Sequence, residues 1–492
     1  MADIQIIDTT LRDGAQSLWA NRLSTGMMLA VIEHLDRAGF ESMEFGYGPG
    51  VRAVQELDED PSAWLRLGAP KAKRTPLRWI GAVGGQHAGR KVEKTPSCVQ
   101  ELRCRMFLEQ GISITRASDP WNNYERLGEQ VRTTQALGMR TIANLIYTIS
   151  PRHTDEYFIE KAKEAASTRP YRVCFKDVGG ILTPERARDL VPELLKAIGD
   201  VPLEFHGHCS TGMGTACVVT VAECGVKYIH TGVPPLAEGN AQPSVFSAIE
   251  NLRELGFDVA IDPEPLRQAS AILYEIARRS RYPVGAPVAL DIRQYRHQIP
   301  GGMIANLAFQ LKQVGHEEKL SDALTEVARV RAELGYPIMV TPLSQFVGAQ
   351  ALINVITGKR YVSVSDEIIR YAQGYYGEEA ISVMDSGLRE AVLNSRRAEQ
   401  LVDDDGDAEE SLEEVRLRYG DVTLEELPYV ISYGVKSLAL LRRGKEVLPY
   451  RTAVSASGAR WLSRFIEECM PGETMEVRDG DMWLRVGMKA RT

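Results

Sequence analysis

An α/β barrel of eight strand–helix units, followed by a helical region and a small α+β tail, is the architecture this sequence predicts. Three observations carry that expectation. Short apolar β-rich runs alternate with stretches of helical period through residues 1–257; amphipathic helix then dominates residues 258–400; a carboxylate-rich run at 401–415 precedes a last segment, 416–492. Eight units in about 255 residues is the size of a TIM (β/α)8 barrel, whose reactive groups gather at the C-terminal ends of the strands. A doubly wound sheet is the competitor, but no Gly-rich GxGxxG turn follows the first strand.

In chain order, the strands are expected at Ile4–Thr9, Ser42–Phe45, Leu77–Val83, Ser113–Arg116, Thr141–Tyr147, Arg172–Lys176, Leu203–His208 and Tyr228–Thr231. Helical spacing of apolar residues fills the gaps, as at Leu29–Ala38, Tyr124–Leu137, Pro184–Ile198 and Ser244–Leu255. Beyond Asp258 the same period predicts helices at Pro265–Arg279, Met303–Val314, Ser321–Leu334 and Pro342–Ile356. In the tail, Met475–Arg478 and Met482–Val486, joined through Asp479 and Gly480, read as a hairpin.

Composition narrows the function. The 492 residues are 44% hydrophobic and 25% charged, ordinary for a globular chain, with no apolar run long enough for a membrane span. Asp3 and Asp8 stand where a signal peptide would carry basic and apolar residues, so a cytoplasmic protein is expected. The net charge of −8 is matched by eight carboxylates between Asp403 and Glu414, leaving the remainder balanced and giving no electrostatic case for a nucleic-acid partner. Seven cysteines without CxxC spacing read as free thiols in a reducing compartment.

Three features suggest chemistry. His206 and His208 are one residue apart on an expected strand, so period two points both imidazoles to one face, where they either coordinate a metal or simply hydrogen-bond. Asp13 follows the first strand and opens on the same end of the barrel, completing a plausible divalent-metal set but for one position. Lys176 ends an otherwise apolar strand, and burying its ammonium is costly unless it pairs with a carboxylate such as Asp177 or is neutralised. A sharper alternative is reaction with carbon dioxide to an anionic carbamate that supplies the missing ligand.

The run Asp8-Thr9-Thr10-Leu11-Arg12-Asp13-Gly14-Ala15-Gln16-Ser17, with Phe175-Lys176-Asp177-Val178-Gly179-Gly180, His206-Gly207-His208 and Val340-Thr341-Pro342-Leu343-Ser344-Gln345, resembles the biotin-dependent carboxyltransferase family. That family includes the carboxyltransferase domain of pyruvate carboxylase, the alpha subunit of oxaloacetate decarboxylase and the transcarboxylase core subunit; the similarity runs from about Ile4 to about Ala391. The resemblance implies a divalent metal (zinc, manganese or cobalt) on Asp13, N-carboxylated Lys176, His206 and His208. It also implies that Arg12 and Gln16 lie against the substrate, that Thr341 relays a proton, and that Ser344 helps hold the biotin ring. Thr341-Pro342 also fits a helix N-cap followed by proline. Arg12, Asp13 and Glu44 match the Asp-Arg-Glu set of the wider metal-dependent aldolase barrels.

Two absences shape the expected reaction. No GxxxxGK[ST] loop is found, and Gly487-Met488-Lys489-Ala490 has no second half of a carrier domain behind it. Biotin carboxylase and the biotin carboxyl carrier protein are therefore expected as separate partners of a homodimeric carboxyltransferase. Relatives that use pyruvate carry an arginine after the third strand that engages the substrate carboxylate, whereas this chain has Gly84 in Ala82-Val83-Gly84-Gly85-Gln86-His87. Loss of a charge-assisted contact worth ~1.5–3 kcal/mol disfavours a 2-oxo acid unless Arg78 or Arg90 compensates. The expected acceptor is thus an enolisable ketone such as an aryl methyl ketone, with a 2-oxo acid as the alternative. A biotin-independent metal-dependent aldolase or Claisen-type lyase and a non-catalytic scaffold are the other readings.

Overall fold

Alternation within the strands builds the barrel. In β6 (Arg172–Asp177) every residue is buried; Val173 and Phe175 join the apolar layer under the helices, while Cys174 meets Ile114 and Ile142 inside the barrel. The computed structural model describes residues 3–46, 54, 56–80, 96–401, 410–444, 447, 449–450, 474–479 and 482–487. The other strands are β1 (Gln5–Asp8), β2 (Ser42–Glu44), β3 (Leu77–Ile80), β4 (Ile112–Ala117), β5 (Arg140–Ile146), β7 (Leu203–Gly207) and β8 (Tyr228–Thr231). All eight pair in parallel in sequence order, and β8 closes on β1 with Ile7 opposite His230. The eight-unit barrel expected from the sequence is therefore the fold.

Helices cover the barrel through one apolar stripe each. In Pro184–Ile198, Thr183 caps the first turn by accepting the Arg186 N–H, proline occupies the first turn, and Ala187, Leu190, Val191, Leu194 and Ile198 face the strands. The expected helix Leu29–Ala38 is instead two, Thr25–Leu29 and Ile32–Asp36, broken where β-branched Val31 takes φ −117°. The expected third strand reached Val83, but 81–83 lie outside the described residues. His208, expected inside the seventh strand, follows its last residue.

The helix Pro263–Ser280, which the sequence texture assigned to the helical region, buries Leu266, Ala269, Leu273 and Ile276 in the barrel's own apolar layer. The helical region has a separate core around Val327, Val330, Leu343, Val347 and Ile369, into which Trp121 inserts from the loop after β4. Gln298 accepts from the Thr148 hydroxyl (2.8 Å) and the Ile149 N–H (3.1 Å), and Arg331 donates to Thr148 and Ile149 as well, so this region is bonded to the segment leaving β5.

Ser411 and Glu414 form a capping box that starts the helix Leu412–Arg418, inside the stretch expected as acidic linker; residues 402–409 lie outside the described set. Val415, Val422, Leu427 and Val430 then pack on Val99 of the barrel helix Ser97–Glu109. The expected hairpin is present as Thr474–Asp479 paired antiparallel with Met482–Gly487. Among the described residues, no helix is long and apolar enough to cross a membrane.

Candidate active site at the barrel mouth

The loop leaving β1 coils into one wide π-helical turn, Thr10–Gly14, that turns Asp13 back over the barrel. There it meets the two histidines. Nε2 of His206 lies 3.7 Å from Asp13 Oδ2, Nε2 of His208 lies 3.5 Å from Asp13 Oδ1, and the two Nε2 atoms are 3.3 Å apart. His208 Nδ1 is 2.6 Å from the Asn240 carbonyl, which accepts its N–H and leaves Nε2 as a lone pair facing the cluster. Three buried acceptors thus converge, and all three ligand atoms lie within 4.8 Å of one another.

What the chain itself places there is an N–H donor. The Gln242 amide nitrogen stands 3.2 Å from Asp13 Oδ1, 3.2 Å from His206 Nε2 and 3.0 Å from His208 Nε2. Its oxygen faces the Thr9 hydroxyl at 2.9 Å. A carboxylate and two imidazole lone pairs around one donor is the donor set of a divalent cation, so these residues fit the metal that the sequence implies.

Lys176 is the cross-strand partner of His206 in the β6–β7 register, on the same inward face, and is 8% exposed. Burial, reinforced by Arg116, pushes its ammonium down to about 8 against the pull of Asp13. The simple pair with Asp177 does not form: the Asp177 carboxylate accepts the N–H groups of Ile181 (3.1 Å) and Leu182 (2.7 Å). That turn needs glycine, because a Cβ on Gly180, at φ +61°, would sit 2.8 Å from the His208 carbonyl oxygen. The Lys-Asp-Val-Gly-Gly motif therefore holds the β6 turn against the backbone that carries His208.

Burial alone would raise the Asp13 carboxyl, but His208, Arg12 and Lys176 hold it well below the usual carboxylate range. Arg12 donates to Asp13 Oδ2 at 2.6 Å and lies 4.0 Å from Glu44 Oε2, with 22% of its side chain exposed. Gln16 is exposed on the helix Ala15–Trp19. Burial lowers the basicity of both His206 and His208, keeping the imidazoles in the neutral form a metal requires.

Below the mouth lies a second buried charge cluster that the sequence did not reveal. Arg78 donates to both oxygens of Glu204 (3.0 and 3.3 Å), and Arg172 pairs with Glu41 at 2.6 Å. Arg78 was a candidate to receive a substrate carboxylate; it is fully buried and committed to Glu204, so that role is corrected. Arg116 sits 3.4 Å from Glu44 and 3.4 Å from His206 Nδ1, and His230 lies 3.0 Å from that same nitrogen. Gln242, Glu204 and His230 could have been found only from the β7–β8 pairing.

Thr341 precedes the helix Leu343–Thr357, whose N-cap is Pro342 without a side-chain capping bond, so the N-cap reading of Thr341 does not hold. Ser344 is fully buried, and among the described residues its hydroxyl has no partner. Gly84 and Arg90 lie outside the described residues. A separate cavity of about 580 Å³ opens beside β5 and β6, lined by Tyr147, His153, Ile181, Arg186 and Tyr295 among others; it includes none of the four expected ligands.

Comparison with known proteins bears on the fold and the family. A conserved carboxylase domain matches residues 295–476, and an HMGL-like domain matches residues 114–273. A pyruvate carboxylase subunit from Methanocaldococcus jannaschii is 34% identical over 382 residues, covering 76% of this chain and 66% of that protein. The 2-oxoglutarate carboxylase large subunit of Hydrogenobacter thermophilus is 31% identical over 377 residues, covering 76% and 57%. The chain thus spans just under two thirds of the length of the first of these relatives and less of the second. The carboxyl transferase domain of Rhizobium etli pyruvate carboxylase superposes with a TM-score of 0.79 at 21% identity, over 99% of this chain and 84% of that one. With a barrel, a helical region and relatives of this kind, the chain belongs to the biotin-dependent carboxyltransferase family.

Proposed function

We propose that this chain is the carboxyltransferase component of a biotin-dependent carboxylase assembled from several chains, carrying a carboxyl group from carboxybiotin to the enolate of a 2-oxo acid. Biotin arrives on a separate biotin carboxyl carrier protein, charged by a separate biotin carboxylase, and the chain acts as a cytoplasmic homodimer. The observation that carries this reading is the convergence of Asp13, His206 and His208, with Lys176 beside His206, at the mouth of the barrel. Free thiols at six described cysteines accord with a reducing compartment.

Asp13, His206, His208 and N-carboxylated Lys176 would hold one divalent ion, zinc, manganese or cobalt. When bound, it supplies Lewis acidity at the ketone oxygen, where enolate charge develops. Arg12 presents the rest of its guanidinium to the same oxygen or to the substrate carboxylate, with Gln16 beside it. The Thr341 hydroxyl passes the methyl proton to the ureido nitrogen as the carboxyl–nitrogen bond breaks and the new carbon–carbon bond forms. The unpartnered Ser344 hydroxyl is a donor for the ureido ring.

On the acceptor, Gly84 points to a methyl ketone, while the relatives are named for pyruvate and 2-oxoglutarate, and this favours a 2-oxo acid. The test is methyl proton exchange in D2O, followed by NMR on the metal-loaded chain with free biotin. Pyruvate should exchange at least about tenfold faster than acetophenone. The reverse order would restore the methyl ketone. Thr341→Ala should lower exchange by roughly 10²–10⁴-fold with metal content intact; unchanged exchange would favour the aldolase reading.

A further inference from the structure

His206 faces two ways. Its Nε2 looks into the Asp13–His208 cluster, and its Nδ1 looks down the barrel at Nδ1 of His230, 3.0 Å away. His230 in turn sets Nε2 3.2 Å from Glu204 Oε1, and Glu204 is gripped by Arg78 through both oxygens. All four side chains are essentially fully buried.

The shortest contacts place the protons, since Arg78 stands farther from His230 Nε2 (3.5 Å) and Glu44 Oε1 farther from His230 Nδ1 (3.7 Å) than the partners that set the order. An ionised carboxylate only accepts, so the Glu204–His230 contact requires a hydrogen on His230 Nε2. A neutral imidazole carries one N–H, which makes His230 Nδ1 an acceptor. The 3.0 Å contact then requires the hydrogen on His206 Nδ1, leaving His206 Nε2 as a bare lone pair. Reversing the chain would set a lone pair of His230 against the Glu204 carboxylate at 3.2 Å. Arg116 also approaches His206 Nδ1, but at 3.4 Å, and its charge is shared with Glu44 at 3.4 Å.

We propose that His230, braced by Glu204 and Arg78, is a positioning residue of the metal centre: it fixes His206 as the Nδ1–H tautomer, so that Nε2 is presented to the cation. Asn240 does the same for His208 from the loop side through a backbone carbonyl. One ligand is thus oriented by the mouth, the other by the floor. This inference rests on the metal reading of Asp13, His206 and His208, and its test separates the two.

The chain has eight histidines, few enough for side-chain NMR of the full-length protein labelled with 15N-histidine. In the metal-free wild type His206 should appear as the Nδ1–H tautomer with its proton directed at a second imidazole nitrogen; an Nε2–H tautomer overturns the inference, whatever metal binding shows. Zinc affinity, measured by competition with a chromophoric chelator, supplies the second arm. His230→Leu should weaken it by roughly 10–100-fold, and His230→Asn, whose amide oxygen stands where Nδ1 stood, should return it to within about threefold of wild type. Leucine binding zinc as tightly as wild type, or asparagine as weakly as leucine, overturns the inference. If leucine does not fold, asparagine and the NMR spectrum decide it. A wild type that binds no zinc, manganese or cobalt sinks the metal reading instead and leaves the tautomer to the spectrum.

Discussion

The barrel buries charge at two levels, and the levels are built on opposite terms. At the floor, Arg78 and Arg172 meet Glu204 and Glu41, so cations and carboxylates come in equal number and the guanidinium groups reach carboxylate oxygens directly. Burial alone would raise the Glu204 carboxyl, but Arg78 and His230 hold it well below the usual range. At the mouth, lone pairs from Asp13, His206 and His208 crowd together around the neutral Gln242 amide, with Arg12 holding only Oδ2 of Asp13. Equal depth of burial therefore says little about role. A matched cluster is part of the scaffold, whereas an excess of converging acceptors is a request for a cation from outside.

The comparison is most sharply tested by breaking the floor. Glu204→Leu leaves buried Arg78 with only the 3.5 Å carboxylate contact to Glu41 and should cost ~3–5 kcal/mol of folding stability in urea melts, a loss far larger than the weakening of zinc binding that follows from unbracing His230. Adding Arg78→Met should recover much of that loss. A single variant within 1 kcal/mol or so of wild type would show that the floor does not hold the barrel.

At the mouth the same kind of change should act the other way round. His208→Ala should lower zinc affinity and methyl exchange by at least about 100-fold while the metal-free protein keeps its melting temperature, because removing one crowded acceptor relieves the others. A large fall in metal-free stability would make the mouth structural and erase the contrast.

The smallest effect is a pH dependence. Lys176 has its ammonium pushed down to about 8 from an ordinary 10.5, so the folded state sheds this proton earlier than the unfolded chain. Stability of metal-free, carbonate-free protein should thus rise as pH climbs from about 8 towards 10.5, and Lys176→Met should remove that rise. Carbamate formation needs the neutral amine, so a 13C-bicarbonate signal at Lys176 should grow through the same pKa near 8 and fade below it. A profile that rises only above pH 10 would mean that the lysine is solvated.

The mouth was legible in the sequence because its signals are local. A His-x-His on a strand needs only period two, and Asp13 needs only a place just after a strand; all eight strands were placed within a few residues of where they are found. The floor was not legible. Glu204 and Arg78 are 126 positions apart, and nothing in either segment says that β3 and β7 face each other across the barrel. Gln242 was hidden likewise, lying on the segment after β8 with no spacing signal of its own. The docking of Val415 and Val430 on Val99 was lost because apolar spacing shows that a face is covered, not by what.

Trp121 belongs by sequence to the barrel and by environment to the helical region, where it lies in the core beneath the Arg152 guanidinium, 5.1 Å from its ring. A fragment ending near residue 257 would keep this indole and lose its shelter. It would also strip Pro263–Ser280 from the flank, baring a second apolar strip. The isolated barrel would then be a sticky, poorly soluble body, so expression trials and gene fusions on this scaffold should carry residues 258–400 with it.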